Sequence, residues 1–183
     1  TTDAASYCKN ASPITQLSVN ASGTNATYKW QQSTTGTSGW SDVSTGTGYT
    51  TATFTPSVTT SGTLYYKCIV SACNKTAESN VSGAIKVYGD PTATTGTTVS
   101  NITNTTATVS GSSCATGTPA STITGFGIEI NNTKYPKTSG NTSSFDVELN
   151  DLSANTTYTY KAYVTDGCTT KYGSEQSFTT EAP

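Results

Sequence analysis

The sequence predicts an all-β protein made of two tandem antiparallel β-sandwiches, and three observations carry that prediction. Threonine makes up about a quarter of the 183 residues, with frequent Tyr, Val and Ile, a composition that suits strands whose outer faces are clad in β-branched polar side chains. Apolar residues recur at every second position in short runs, and no stretch shows the three-and-four spacing of an amphipathic helix. Turn signals separate the runs: Ser-Gly at 22–23, Thr-Gly at 35–36, Ser-Gly at 61–62, Ser-Gly at 139–140 and Asp-Gly at 166–167. The hydrophobic fraction is 32%, below the usual level of about 45–50%, so the cores must be thin.

In order along the chain, one face is defined by Leu17, Val19 and Ala21, the next by Tyr28, Trp30 and Gln32, then by Ala52 and Phe54, by Leu64, Tyr66, Cys68 and Val70, and by Ile85 and Val87. The rhythm stops at "VYGDPTATTG", residues 87–96, where Gly89, Asp90 and Pro91 do not suit a central strand. It resumes in Ala107 and Val109, in Phe126, Ile128 and Ile130, in Phe145, Val147 and Leu149, in Tyr158, Tyr160, Ala162 and Val164, and in Phe178. The expected organisation is therefore a domain over 1–88, a linker over 89–92 and a domain over 93–183, each the size of a seven-stranded sandwich.

The stretch "TYKWQQSTTGTSGWSDVSTGTGYTTATFTPSVTTSGTLYYKCIVSAC" resembles the immunoglobulin-like modules repeated in secreted and surface proteins of Bacteroidetes-type bacteria. The resemblance covers about residues 5–88. It implies that Trp30 packs between the sheets from strand C and that Tyr66, two residues before Cys68, occupies the tyrosine-corner position. No cysteine lies on the strand B that it implies, where Leu17 and Val19 stand inward, so the usual bridge across the sandwich is absent. The second half closes with "LNDLSANTTYTYKAYVTDGCTTKYGSEQSFTTEAP" and contains "TNTTATVSG", which resemble strands of bacterial fibronectin type III domains over about residues 91–181. There Leu152, Asn155, Thr156 and Tyr158 match a Leu-x-x-x-Thr-x-Tyr corner. The final Glu181, Ala182 and Pro183 read as the start of another linker, so adjoining domains of a longer chain are expected.

Placed on that topology, the five cysteines suggest two bridges in an oxidising compartment. Cys114 follows strand B and Cys168 precedes strand G, so these two are expected to pair, with a stabilisation of about 4 kcal/mol in the chain-entropy model. Cys8 is expected to pair with Cys73, or alternatively with Cys68. Cys68 otherwise points into the core as a small hydrophobe.

No histidine is present, which removes the common general base and the usual nucleophile–base arrangements. The eleven acidic residues are scattered, without the paired carboxylates in a cleft that a glycosidase needs. There is no phosphate-binding glycine loop, so neither an enzyme nor a cofactor is expected. No metal is expected either: Cys68 and Cys73 lack a second closely spaced pair, and Asp146, Glu148 and Asp151 read as a solvated edge. A net charge of −2 provides no basic stripe for nucleic acid, and no run reaches the roughly 20 apolar residues of a membrane span. Ten Asn-x-Ser/Thr triplets are what this composition generates by chance.

Binding remains. Trp30 reads as core by its alternation with Tyr28 and Gln32, whereas Trp40 either folds back over the polar hairpin or exposes its ring for a ligand. Tyr49 is a second candidate contact in a loop. The resemblance implies a non-catalytic adhesion or spacer module, extracellular or at a bacterial cell surface. Its partners would be host or bacterial surface proteins or a glycan, and a carbohydrate-binding accessory module is the alternative.

Overall fold

Two long strands, one in each half of the chain, carry the strongest alternation, and each organises a separate set of partners. The computed structural model describes residues 3–22, 24–137 and 142–183. The turns expected at 22–23 and 139–140 lie wholly or partly outside them. The described residues form sixteen strands and no helix. The chain divides into two compact units, Thr1–Gly89 and Asp90–Pro183, at a point inside the segment expected to be a linker.

In the first unit the strands are β1 (Ala5–Tyr7), β2 (Leu17–Ser18), β3 (Thr27–Ser33), β4 (Ser41–Asp42), β5 (Thr53–Phe54), β6 (Gly62–Ala72), β7 (Lys75–Glu78) and β8 (Ile85–Val87). One sheet runs β1-β8-β6-β3-β4, with β7 also on β6, and the other is the β2–β5 pair. Register fixes the faces: Trp30 lies opposite Cys68 and Tyr28 opposite Val70, while Leu17 lies opposite Phe54 in the second sheet. Phe54 therefore meets Trp30 at 5.4 Å and Tyr66 at 5.2 Å between ring centroids, and Cys68 is fully buried beside them. Such aromatic contacts add about 0.5–1.5 kcal/mol each beyond the area that they bury. Trp30 is further tied by its indole N–H, which donates to the Thr51 carbonyl at 2.9 Å.

The β6–β7 hairpin turns on Cys73 and Asn74, both at positive φ (49° and 58°), the backbone of a two-residue primed turn. Beyond Glu78 the chain leaves β6, and serine hydroxyls replace its ladder. Ser79 Oγ accepts the Cys68 N–H at 2.9 Å and Ser82 Oγ accepts the Tyr66 N–H at 3.0 Å, so buried backbone donors stay satisfied.

In the second unit the strands are β9 (Thr92–Ser100), β10 (Ala107–Ala115), β11 (Gly125–Ile130), β12 (Thr133–Pro136), β13 (Ser144–Leu149), β14 (Thr157–Thr165), β15 (Thr170–Tyr172) and β16 (Gln176–Thr179). One sheet is β13-β10-β9; the other is β12-β11-β14-β15, with β16 also on β14. Val109, Ile128, Leu149, Ala162 and Val164 are fully buried between them. β9 begins inside the segment expected to be a linker; "TATTGTT" has no apolar alternation to reveal it, and it is held by pairing with β10.

The run "YGSEQSFTT" reads as one closing strand, but it is split. β15 pairs with β14 from Tyr163 to Thr165 and β16 from Thr157 to Tyr160. At the gap, Gly173 N–H donates to the Ala162 carbonyl and Thr95 Oγ1 accepts the Ala162 N–H, each at 2.9 Å. A Cβ on Gly173 would stand 2.5 Å from Thr95, which is why glycine sits there. At the other end of β14, Tyr158 is half-buried, stacks on Phe178 at 5.7 Å and accepts the Ser153 N–H on its hydroxyl at 2.8 Å.

Neither expected disulfide forms, because Cys73 and Cys114 are free thiols, as is Cys68. β1 runs parallel to β8, with Tyr7 beside Val87, and Val87 lies opposite Gly62. Cys8 is thus at the Gly62 end of β6 and Cys73 at the far end, roughly 33 Å away at about 3.3 Å per residue, whereas a bridge needs Cα atoms within about 7 Å. Cys114 points inward instead of towards the β14–β15 turn that holds Cys168. It is buried, its thiol donates to the Tyr163 carbonyl at 3.8 Å, and burial pushes its pKa up to about 11. Cys8 and Cys168 are each disulfide-bonded.

Candidate functional site

Strand parity decides which side chains face out. On the first unit, Lys29 and Gln31 of β3 and Tyr65 and Lys67 of β6 share the face opposite the core. Trp40 lies half-buried against that face, with the Lys67 ammonium 4.8 Å from its ring centroid. The same ammonium pairs with Glu78 at 2.9 Å. Asp42 on β4 pairs with Lys29 at 2.7 Å and accepts Gln31 Nε2–H at 3.0 Å, and these two bonds, the Gln31 one foremost, hold its carboxyl below the usual range. Trp40 thus closes a row of interlocked side chains; a cation over an aromatic face contributes about 0.5–1 kcal/mol at an exposed site.

Tyr49 is among the exposed large side chains at 39%. Its carbonyl accepts the Trp30 N–H at 3.2 Å, so its backbone braces the core while its ring faces solvent. Trp40 and Tyr49 therefore differ in kind: one is packed over a lysine and the other is open. Trp30, Tyr66 and Cys68 are buried in the first core, and burial raises the Tyr66 hydroxyl to about 12. A groove of about 540 Å³ is lined by Val19, Ala21 and Ala26 on one side and by Val70, Ala77 and exposed Cys73 of the β6–β7 hairpin on the other.

The second unit holds a cluster for which the sequence provided no periodic signal. Lys134 on β12, Glu129 on β11 and Lys161 on β14 line up across three strands on the outer face, and the next row places Tyr163 opposite Tyr172. The Glu129 side chain is only 8% exposed: one oxygen is 3.2 Å from Lys161 Nζ, and the other accepts the Tyr172 hydroxyl at 2.9 Å. Lys134 lies 4.8 Å over the Tyr163 ring and Lys161 4.5 Å over the Tyr172 ring. Desolvation first, then the Glu129 carboxylate, raises both tyrosine hydroxyls. Alternation alone assigns Tyr163 to solvent, yet it is 4% exposed because the lysine covers it. Beside this row a polar pocket of about 220 Å³ opens between the Asn131–Asn132 turn and the β15–β16 gap.

Asp146 and Glu148 are exposed on β13, with Lys137 donating to the Asp146 carbonyl at 2.8 Å, and Asp151 is exposed in the following turn. Among the described residues no group of three or more His, Cys, Asp or Glu side chains is placed to hold a metal ion. Nor, among the described residues, is any helix long and apolar enough to cross a membrane.

These topologies define immunoglobulin- and fibronectin III-like β-sandwiches, with three strands facing a C′CFG-type sheet in the second unit. No protein-family model matches the sequence, and no curated protein matches it. Similar solved structures include a stretch of titin domains, at 13% identity and TM-score 0.45, covering 97% of this chain and 62% of that one. The FN1–FN3 domains of chicken CNTN1 are also similar, at 13% identity and TM-score 0.39, covering 97% and 63%. A third is the chicken interferon gamma receptor alpha chain, at 10% identity and TM-score 0.39, covering 91% of each. This chain spans less than two thirds of the length of the first two.

Proposed function

We propose that this chain is a non-catalytic adhesion or spacer segment of a larger bacterial protein, secreted or held at the cell surface. One observation carries the reading. Large side chains such as Trp30, Phe54, Tyr66 and Tyr160 are committed to the two cores, and the outer faces carry lysine–carboxylate–aromatic rows locked to one another. Such faces suit a scaffold, and sandwiches of these two kinds commonly serve as spacers or adhesion modules, although a fold alone hosts many tasks. The oxidised Cys8 and Cys168 support an exported protein, and the bacterial assignment rests on the sequence resemblance. Labelling intact source cells with a membrane-impermeant amine-reactive biotin tests the placement. Labelling of the protein before lysis is expected, and labelling only after lysis refutes it. A second reading, a carbohydrate-binding accessory segment, is favoured by the polar pocket of the second unit.

A further inference from the structure

We propose that the outer face of the second unit carries a subsite for a neutral, hydroxyl-rich ring, a hexose-type saccharide residue, in the pocket between the Asn131–Asn132 turn and the gap between β15 and β16. The proposal gives the carbohydrate reading a place in the fold and stands independently of the adhesion or spacer role.

Backbone geometry builds the pocket. Glu129 lies opposite Lys161 and Ile130 opposite Tyr160, and just past that pair Asn131 and Thr159 both line the pocket beside Glu129. Tyr160 lies opposite Gln176, which Glu175 directly precedes. The closing strand is interrupted between Tyr172 and Gln176, and Glu175, from that interruption, lines the pocket. Asn131 and Asn132, at φ 46° and 65°, make the turn that also lines it.

The chemistry of the lining selects the ligand. Glu129 is nearly buried and held by Lys161 and Tyr172, yet each carboxylate oxygen retains acceptor capacity and Lys161 retains donors. Thr159 and the two asparagine amides supply both functions, and Glu175 adds a solvated acceptor. Donors and acceptors alternating around a small volume match the vicinal hydroxyls of a sugar, each of which both donates and accepts. Two carboxylates against one ammonium disfavour phosphate and acidic sugars, and the ammonium inside the pocket disfavours a metal cation. At about 220 Å³ the space is smaller than the roughly 300–1,000 Å³ of sites for drug-sized ligands, so it takes one ring.

The test is a proton–nitrogen NMR titration of the full chain with maltose, cellobiose and lactose, beside calcium chloride alone. Saturable shifts at the amides of Asn131, Asn132, Thr159, Lys161 and Glu175 are expected with at least one disaccharide. The double variant Thr159→Val, Glu175→Ala removes two exposed polar groups and is expected to weaken that binding about tenfold or more at an unchanged melting temperature. Glu175→Gln, which keeps the shape, is expected to retain part of the affinity. The proposal is overturned if no disaccharide gives saturable shifts, if binding persists undiminished in the double variant, or if calcium alone moves the same amides. Cell-surface labelling is unaffected by any of these results, so the two readings fail separately.

Discussion

Replacing Thr95 by valine removes a single hydrogen bond at the point where the closing strand of the second unit parts. Thr95 is 4% exposed, and its Oγ1 is the acceptor for the Ala162 N–H at 2.9 Å; neither β15 nor β16 reaches that donor. Valine has nearly the same shape, so no cavity forms, but the N–H is left buried without an acceptor. Leaving a buried donor unmade costs about 1–3 kcal/mol, and the extra methyl group returns less than about 1 kcal/mol. A net loss of about 1–2 kcal/mol lowers the melting temperature of a unit of this size by about 5–10 °C. Thermal unfolding followed by circular dichroism measures it, with Thr95→Ser, which keeps the hydroxyl, expected to lose markedly less. If Thr95→Val melts with the unmodified chain or above it, the hydroxyl does not serve as the strand's substitute partner and the account of the split closing strand is wrong.

Three further outcomes follow from the same structure. Of the three free thiols, iodoacetamide is expected to alkylate only exposed Cys73 in the native protein, with Cys68 and Cys114 reacting on unfolding; mass spectrometry showing native modification of Cys114 contradicts its buried placement. Alkaline pH is expected to destabilise both units. Cys114 is raised from 9.0 to about 11 and Tyr66 from 10.0 to about 12, so above each ordinary value the unfolded chain releases a proton that the folded chain keeps. Stability then falls with rising pH through about 9–11 for the second unit and about 10–12 for the first; a urea midpoint that stays flat from pH 9 to 12 refutes both assignments. Ser82→Ala, which strips the Tyr66 N–H of its acceptor, is expected to cost about 1–2 kcal/mol by urea unfolding, and a cost near zero contradicts the substitute-ladder description.

Much of the fold was legible in the sequence where one face of a strand is buried. Trp30, Tyr66 and Cys68, or Tyr160, Ala162 and Val164, announce their strands because every second residue is apolar. Legibility fails where pairing rather than burial makes the strand. β9 is two-thirds threonine and glycine, with no apolar alternation, and β7 is "KTAE", exposed at every position, so neither has a face to read. The cysteine pairing that the sequence suggests fails for a topological reason. The parallel β1–β8 pair carries Cys8 to the end of β6 opposite Cys73, and nothing local encodes whether an edge strand runs parallel. Tyr163, Glu129 and Lys161 were missed because their row runs across strands, where spacing along the chain is silent. Only knowledge of the β11–β14 register brings the carboxylate beside the lysine.

Whether the tryptophans hold the first sandwich together or grip a ligand is decided most directly by Trp40→Ala, screened beside the unmodified protein against immobilised glycans and mucin with melting temperatures measured in parallel. Trp40 is packed over Lys67, so the variant is expected to melt a few degrees lower, in line with about 0.5–1 kcal/mol, and to bind whatever the unmodified chain binds. Binding that vanishes in the variant while the melting temperature stays unchanged would make Trp40 a ligand platform and contradict the scaffold role given to it.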